Sequence, residues 1–222
     1  MRVLGIDTSN YTTSVALAEE SGFRQQRKLL SVGKGERGLR QSDALFLHTV
    51  DLPALMRSLS PMGKLDAVAY SARPRDAEGS YMPCFLAGAA AAESVAAALD
   101  VPVYRFSHQA GHLMAAVHSC GDEKIGEKEF LAFHLSGGTT ELLLVRPDRE
   151  LGFAVSVLGA TLDLSAGQLI DRVGVMLGLS FPCGGSLERL AAESASMPRV
   201  HVCVRGLSLI HISEPTRLQL IS

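Results

Sequence analysis

Two segments of this chain follow the same plan, and this repetition restricts the fold more than any other feature of the sequence. Each has a short apolar strand, a turn rich in hydroxyl groups that carries a Thr-Thr pair, and a second apolar strand. The first runs from Val3 to Ala18 and the second from Phe130 to Val145. The copies lie roughly 125 residues apart, a period far too long for a solenoid of short repeats. The sequence therefore predicts a duplicated β-hairpin and two related lobes.

Helices and strands alternate between the two hairpins. Three segments have apolar residues at helical spacing, and two short apolar runs indicate strands. The predicted helices are 42–59, 87–99 and 108–117, and the predicted strands are 65–70 and 101–106. A hairpin followed by βα units predicts a mixed sheet with helices on its faces, hence an α/β fold. After the second hairpin, Asp163 is expected to cap a helix over 164–177.

The overall charge does not mark a particular class of partner. The 222 residues carry a net charge of −2, so any contact with nucleic acid or a membrane needs a local patch. The segment from Arg24 to Arg40 has six basic residues and three glycines. It predicts a flexible loop, which either meets nucleic-acid phosphates or is simply solvated. Residues 72–76 follow a predicted strand end, where Arg73 and Arg75 are candidate anion contacts.

No part of the sequence indicates a membrane or an oxidising compartment. The N-terminus lacks the apolar core of a signal peptide, and no apolar run is long enough to span a bilayer. The four cysteines are widely spaced and form no C-x-x-C pair, which favours free thiols. We therefore expect a cytoplasmic protein without a membrane partner.

The turns of the two hairpins are candidate phosphate sites. In the second, Ser136-Gly137-Gly138-Thr139-Thr140 offers unobstructed backbone N–H groups and three hydroxyls. An ordinary tight hairpin is the alternative interpretation. In the first, Asp7 is followed by four hydroxyl residues, Thr8, Ser9, Thr12 and Thr13. A carboxylate among hydroxyls suits a hydrated Mg²⁺ or a set of hydroxyls that faces a phosphate, and two such turns facing each other across a cleft would grip a nucleotide.

Three residues on one face of the helix predicted over 164–177 form a further candidate site. Gly167, Asp171 and Gly174 are spaced i, i+4 and i+7. Glycines beside an acid let a ligand approach the backbone, while the carboxylate binds hydroxyls such as a ribose diol. The alternative is close packing of the helix, with Asp171 paired to a surface base. Residues 182–186 then predict a turn of small residues.

His108 and His112 lie four residues apart at the start of a predicted helix, so their imidazoles share one face. Neutral imidazoles suit Zn²⁺ or Fe²⁺. The alternative is that Ser107 caps the helix and His108 merely occupies its first turn. No Glu follows His108, so the H-E-x-x-H pattern of zinc proteases is absent. His48 is interpreted as a surface or helix-end residue.

Five motifs occur in the order and spacing of one known family. They are "VLGIDTS", "SHQAGHLMA", "SGGTTEL", "GATLDLSAGQLIDRVGVMLGLSFP" and the glycines that follow. Through them the chain resembles the tRNA N6-adenosine threonylcarbamoyltransferase family, long called O-sialoglycoprotein endopeptidases or glycoproteases. The resemblance implies an α/β fold of the actin-like/sugar-kinase (ribonuclease-H-like) ATPase type with two related lobes. The first lobe would span residues 1–120, and residues 121–206 would begin the second.

The resemblance also implies which residues form the site. His108 and His112 would be ligands of one divalent metal ion, Fe²⁺ or Zn²⁺, and Asp7 would be a further catalytic residue. Seven residues would bind threonylcarbamoyl-AMP or ATP: Leu135, Ser136, Gly137, Gly138 and Thr139 at the phosphates, Asp171 at the ribose, and Gly184 at the cleft wall.

The activity implied is an acyl transfer to tRNA. The amine N6 of adenosine 37 attacks the threonylcarbamoyl carbonyl and AMP leaves. The metal would polarise the carbonyl or the phosphate, and backbone dipoles would stabilise the developing charge. The resemblance thus predicts an acyltransferase that works with tRNA and with protein partners of the threonylcarbamoyladenosine synthesis complex.

Four positions depart from the family pattern. A Cys-Asp-Glu run, a Gly-Pro-Gly loop, a histidine and an acid pair are replaced by Asn10–Thr13, Ala72–Arg75, Thr139 and Asp163-Leu164. These departures indicate a paralogous branch. The alternative function is therefore a non-catalytic paralogue that binds nucleotide or partner subunits and regulates the authentic transferase. A sugar-kinase-type phosphotransferase would share the hairpins but leave the histidine pair without a role.

The last sixteen residues, 207–222, resemble a translated sequencing adapter rather than natural protein. We therefore expect the natural frame to end near Gly206 and the second lobe to be truncated. The family's third metal ligand, an aspartate, would then be missing, and this chain would be inactive and poorly soluble.

Overall fold

The structure is a computed structural model that describes residues 1–31, 39–194 and 207–208. It divides into two compact units. Unit 1 comprises Met1–Lys124 with Asp148–Ala154, and unit 2 comprises Ile125–Pro147 with Val155–Ser222. Part of the predicted basic loop (32–38), the predicted end of the second lobe near Gly206, and nearly all of the predicted tail lie outside the described residues.

Unit 1 contains one mixed five-stranded sheet. Its strands are β1 (Val3–Asp7), β2 (Thr12–Glu19), β3 (Gly22–Leu29), β4 (Ala67–Arg73) and β5 (Val103–Ser107), in the order β3-β2-β1-β4-β5. β1 is antiparallel to β2 and parallel to β4, and β4 is parallel to β5. The carboxyl ends of β1, β4 and β5 therefore meet at one edge of the sheet, where α/β proteins bind ligands.

The helices of unit 1 cover this sheet. They are α1 (Gln41–Ser58), α2 (Phe85–Leu99) and α3 (His108–Ser119). Leu4, Leu17 and Val68 of the sheet have no exposed surface and share one core with Leu52 of α1 and Ala92 of α2. The small alanine side chains of α2 allow the helix to approach the sheet closely. None of the helices that the structure describes is long and apolar enough to cross a membrane.

Unit 2 repeats part of this arrangement. Its strands are β6 (Phe130–Leu135), β7 (Thr140–Asp148), β8 (Gly152–Thr161) and β9 (Leu207–Ser208), in the order β6-β7-β8-β9. Its helices are α4 (Ala166–Met176) and α5 (Gly184–Ala192). The order β8-β7-β6 matches the order β3-β2-β1 of unit 1. The predicted α/β class and duplicated hairpin are confirmed, and the duplication extends to a third strand.

The prediction of a flexible basic loop is wrong for residues 24–29. They belong to β3, which pairs with β2 along its whole length. Lys28 donates to Asp51 Oδ1 at 2.6 Å, and Arg24 donates to the Pro61 carbonyl at 2.8 Å. All eight residues of β3 are exposed, so the strand has no apolar alternation to reveal it. Two of its cations are held by protein acceptors, which weakens the interpretation as a nucleic-acid contact.

Two boundaries in unit 2 also differ from prediction. Ser165, not Asp163, caps α4: its hydroxyl accepts from the Gln168 N–H, and the Gln168 side chain accepts from the Ser165 N–H. Asp163 is exposed and precedes the helix. Both residue types cap helices, and the bond from the Ser165 hydroxyl to the Gly137 carbonyl favours the serine. The predicted turn at 182–186 is instead the start of α5, whose first residue is Gly184.

Candidate functional site

Asp7 is the centre of a polar cluster at the carboxyl end of β1. Its Oδ1 accepts from the Ser9 N–H at 2.8 Å and from the Ser9 hydroxyl at 2.5 Å. Its Oδ2 accepts from the hydroxyl of Ser71 on β4 and lies 2.8 Å from Nδ1 of His108, which begins α3 directly after β5. Groups from three neighbouring strand ends therefore surround one carboxylate.

The surroundings of Asp7 keep it ionised. Burial alone raises the pKa of this carboxyl, because a charge is disfavoured away from water. The hydrogen bond and charge of His108 and the hydroxyls of Ser71 and Ser9 outweigh burial and hold the pKa well below its usual range. An ionised Asp7 can only accept hydrogen bonds, so Nδ1 of His108 carries the shared proton. In the neutral ring, Nε2 then keeps its lone pair for another ligand.

The structure brings the two predicted histidines together. The ring centroids of His108 and His112 are 4.1 Å apart, and the rings meet edge to face at 66°. His108 is partly buried between Asp7 and the ring of Phe85, whereas His112 is exposed. Asp7, His108 and His112, all predicted as catalytic residues, therefore form one cluster in unit 1. Ser107 also caps α3, so the alternative interpretation of this stretch is correct as well.

The donors of this cluster fit the predicted metal ion. Imidazole nitrogens are ligands that Zn²⁺ and Fe²⁺ accept, and metal-binding histidines commonly bond a carboxylate through their other nitrogen. Across residues 1–31, 39–194 and 207–208, no group of three or more His, Cys, Asp or Glu is arranged to hold a metal ion. His108 and His112 thus offer two ligands, and the metal stays a prediction.

The hydroxyls that follow Asp7 do not all face a ligand. Thr8 is fully buried; its hydroxyl donates to the Cys84 carbonyl at 2.9 Å and accepts from the Gly88 N–H at 3.1 Å. Thr13 is fully buried too, and its hydroxyl lies 2.7 Å from Nδ1 of His48. These oxygens join β1 and β2 to the helices α2 and α1. The prediction of a phosphate-facing set is therefore wrong for both threonines.

His48 is a buried residue that the sequence interpretation misplaced. It lies inside α1 with 0% of its surface exposed. Burial lowers the pKa of its imidazole and favours the neutral form. The interpretation as a surface residue failed because the hydroxyl that shares a hydrogen bond with His48 belongs to Thr13, 35 positions away. Helical spacing alone does not reveal such a partner.

Ser71 is a site residue that the sequence analysis missed. The pairing of β4 with β5 shifts register between Ser71, opposite Phe106, and Arg73, opposite Ser107. This bulge lies beside the cluster, where bulges often re-aim side chains. Ser71 is buried and donates to Asp7. A hydroxyl residue near the end of an otherwise apolar strand is the signal that indicates such a role.

The turn between β6 and β7 presents converging backbone donors. The N–H groups of Gly138 and Thr139 donate to the Ser136 hydroxyl oxygen at 3.2 and 3.0 Å. A Cβ added at Gly137 or Gly138 would meet open space, so internal packing does not require either glycine. Leu135, just before the turn, is 59% exposed. The two N–H groups converge on the turn's own hydroxyl, which an ordinary tight hairpin also shows, so the phosphate site stays a prediction.

The two predicted glycines of α4 serve close packing. A Cβ added at Gly167 would lie 2.6 Å from the carbonyl oxygen of Ser136, and one added at Gly174 would lie 2.2 Å from Cβ of Cys183. Both distances are far below a normal contact, so only glycine fits. Gly167 thereby seats α4 on the predicted phosphate turn, and its N–H donates to Ser136.

Asp171 lies on the same helix with a structural partner. Its Oδ1 accepts from the Cys183 N–H at 2.8 Å, which fixes the chain just before Gly184 and α5. Asp171 also lines an open groove of about 600 Å³ together with Met176 and Phe181. The groove leaves the carboxylate accessible, and its predicted role at a ribose stays a prediction.

A family model for tRNA N6-adenosine threonylcarbamoyltransferase matches residues 53–212. The chain belongs to this family. Relatives with that name include the proteins of Chlorobium limicola, 31% identical over 216 residues, and Chlorobaculum tepidum, 32% identical over 207 residues. These alignments cover 94% and 88% of this chain but 58% and 55% of the relatives. The chain thus spans somewhat more than half the length of these curated threonylcarbamoyltransferases.

Family membership confirms the resemblance, and the α/β fold that it implied is present in both units. Solved structures similar to this chain include YeaZ from Pseudomonas aeruginosa, with 19% identity and a TM-score of 0.46 over 70% of this chain and 66% of that chain. The PPX-GPPA enzyme of Aquifex aeolicus has 18% identity and a TM-score of 0.38 over 71% and 52%. At these values the two likenesses carry no argument about function.

Proposed function

We propose that this member of the threonylcarbamoyltransferase family acts in transferring the threonylcarbamoyl group from threonylcarbamoyl-AMP to N6 of adenosine 37 in tRNA. The observation that carries the proposal is the cluster of Asp7, His108 and His112, in which an ionised carboxylate orients one imidazole beside a second. A purely structural helix start would need neither the second histidine nor a carboxylate at the first.

In the proposed site, His108 and His112 hold one divalent ion, Zn²⁺ or Fe²⁺. Asp7 keeps the proton of His108 on Nδ1 and so presents Nε2 as the ligand atom. Ser71 and Ser9 keep Asp7 charged and in place. When bound, the ion would supply positive charge that polarises the carbonyl or phosphate of the donor.

The turn 136–139 is the proposed phosphate site for threonylcarbamoyl-AMP or ATP. A phosphate oxygen would take the place of the Ser136 hydroxyl as acceptor for the N–H groups of Gly138 and Thr139. Once the Ser136 hydroxyl has turned away, these backbone dipoles would bind the negative charge of the phosphate. Asp171, beside its open groove, is the proposed ribose contact, and Gly184 lies at the start of the next helix.

The proposed acceptor and partners follow from the family. The relatives are named for an activity on N6 of adenosine in tRNA, so we take tRNA as the acceptor and the cytoplasm as the place of action. Other proteins of threonylcarbamoyladenosine synthesis are the proposed partners.

Metal binding tests the proposal directly, because His108 and His112, the two ligands that the proposal names, lie side by side in the described part of the chain. Titration of the 222-residue chain with Zn²⁺ or Fe²⁺ should show one bound ion, and His108→Ala or His112→Ala should each abolish it. His118→Ala, in the same helix α3, is the matched control and should bind normally. Binding of threonylcarbamoyl-AMP without any metal would instead support the non-catalytic paralogue.

A further inference from the structure

The loop after β4 contains a buried carboxylate that is not part of the site described above. The side chain of Asp76 is 9% exposed. Its Oδ1 accepts from Arg73 Nε at 2.8 Å and lies 2.5 Å from Arg73 Nη2. Its Oδ2 accepts from the Ser107 hydroxyl at 2.5 Å. Arg73, predicted as an anion contact, is therefore paired within the protein, and Asp76 links it to the end of β5.

Ser107 connects this pair to the start of α3. Its hydroxyl donates to Asp76 and accepts from the Ala110 N–H at 3.2 Å, so the same oxygen caps the helix. Ser107 is 1% exposed, so its hydroxyl is shielded from water. The Gln109 N–H donates to the Pro74 carbonyl at 3.1 Å. The first turn of α3 is thus tied to the loop 73–76 at two points.

The bulge in β4 makes this connection possible. Ser71 lies opposite Phe106 and Arg73 lies opposite Ser107, so two steps along β4 match one step along β5. The extra residue lets Ser71 bond Asp7 while Arg73 pairs with Asp76. One irregularity therefore sets both the support of the Asp7 carboxylate and the support of the helix that begins with His108.

We propose that Asp76 is a positioning residue that, held by Arg73, fixes the first turn of α3 through Ser107 and so aims His108 at Asp7. Asp76 touches neither His108 nor any proposed ligand, and it acts through the cap. Its consequence for catalysis rests on the proposed function, whereas its effect on the His108 ring does not. The Ala72–Arg75 replacement in the family's loop then has a physical role, because Arg73 and Pro74 both belong to the support.

The test compares Asp76→Ala, Asp76→Asn and Ser107→Ala by ¹⁵N spectroscopy of the histidine rings, with the His108 signals assigned by their loss in His108→Ala. The unmodified chain should show His108 protonated at Nδ1. Each variant should reduce that fraction and weaken Zn²⁺ binding by about tenfold, the lower end of the range for partners of metal ligands.

Two further comparisons separate the contributions of Arg73 and Ser107. Arg73→Lys should retain more of the Nδ1 protonation and of the Zn²⁺ affinity than Arg73→Ala. The double variant Asp76→Ala/Ser107→Ala should be no worse than Ser107→Ala alone, because both act through one contact.

Glu93→Ala is the matched control. It removes a more exposed ion pair, Glu93 with Arg105 of β5, without touching the cap. A lower unfolding temperature in the Asp76 variants with unchanged His108 signals and Zn²⁺ affinity would overturn the proposal. If Asp76→Ala does not fold, Asp76→Asn and Arg73→Ala give the same readout. Absence of Zn²⁺ binding in the unmodified chain, together with altered His108 signals in the variants, would reject the proposed function and leave this inference standing.

Discussion

Nδ1 of His108 lies 2.8 Å from Oδ2 of Asp7, although the two residues are 101 positions apart in the chain. They meet because β1 and β5 run parallel on either side of β4 and end at the same edge of the sheet. Asp7 is the last residue of β1, and His108 is the first residue after β5. The topology of the sheet, rather than a local motif, creates this contact.

Removing the charge of Asp7 should weaken metal binding without unfolding the chain. In Asp7→Asn the charged acceptor that holds the proton on Nδ1 of His108 becomes a neutral amide, so we expect Zn²⁺ affinity to fall about 10- to 100-fold. Calorimetric titration measures this change. Asp43→Asn, an exposed acid in the first turn of α1, is the control and should bind Zn²⁺ normally. Equal Zn²⁺ affinity in the two variants would show that Asp7 does not support the metal ligands.

The same residue should make the stability of the chain depend on acid pH. Burial raises the pKa of Asp7, but the bonds from His108, Ser71 and Ser9 outweigh it and lower the pKa below the ordinary value of 3.8. A lowered pKa in the folded state stabilises the fold above that ordinary value and loses this contribution as the pH falls further. Urea unfolding between pH 5 and pH 2 should show a shallower loss of stability in Asp7→Asn than in the unmodified chain. Parallel curves would contradict the assignment.

His48 should also make the stability of the chain depend on pH, in a range above that of Asp7. Burial lowers the pKa of its imidazole below the ordinary value of 6.5, so the unfolded chain binds the proton more readily. Stability should therefore decline as the pH falls below about 6.5. His48→Gln should flatten the curve of unfolding free energy between pH 7 and pH 5. An unchanged slope in His48→Gln would contradict this prediction.

Two helical glycines should respond in opposite directions to the same substitution. Gly174→Ala places a methyl group 2.2 Å from Cβ of Cys183 and should cost about 1–3 kcal/mol through overpacking. Gly111→Ala in α3 meets open space and should stabilise the chain by about 0.5–1 kcal/mol, since alanine loses less entropy in a helix. Urea unfolding of both variants tests the pair. A neutral Gly174→Ala would mean that α4 and Cys183 can separate at little cost.

The outer face of β6 should drive self-association. Leu131, Phe133 and Leu135 alternate along this strand and are 61%, 74% and 59% exposed. Contiguous exposed apolar groups of this kind promote aggregation. Phe133→Lys should lower light scattering at a given protein concentration. Phe23→Lys, a 53% exposed phenyl group on β3, is the control and should have the smaller effect. A chain that stays monomeric at high concentration would contradict this prediction.

The spacing of apolar residues predicted those helices and strands that have one buried face. β1 and β6 begin at Val3 and Phe130, where the two predicted hairpins begin, and α2 and α3 differ from prediction by only two residues at one end. Their apolar residues recur at the spacing of the element, so local pattern and tertiary burial agree. β3 was missed for the opposite reason, since it lies at the sheet edge with all residues exposed.

The sequence pattern did not predict which distant residues contact one another in the site. The spacing of His108 and His112 predicted their proximity, because helical geometry is local. The contact of Asp7 with Ser71 depends on a bulge, and that of His48 with Thr13 depends on packing α1 against β2. Such contacts join positions tens of residues apart, and no periodicity reports them.

The two sheets end in edges of very different character. β3 closes one sheet with Arg24, Arg27 and Lys28, and a cationic edge repels the approach of another strand. β6 is the outermost strand of the other sheet within the described part of the chain, and the stretch FLAFHL contains no Lys, Arg, Asp or Glu to act as a gatekeeper. Intermolecular strand addition is therefore disfavoured at β3 and unopposed at β6, so substitutions meant to keep the protein monomeric should begin at β6.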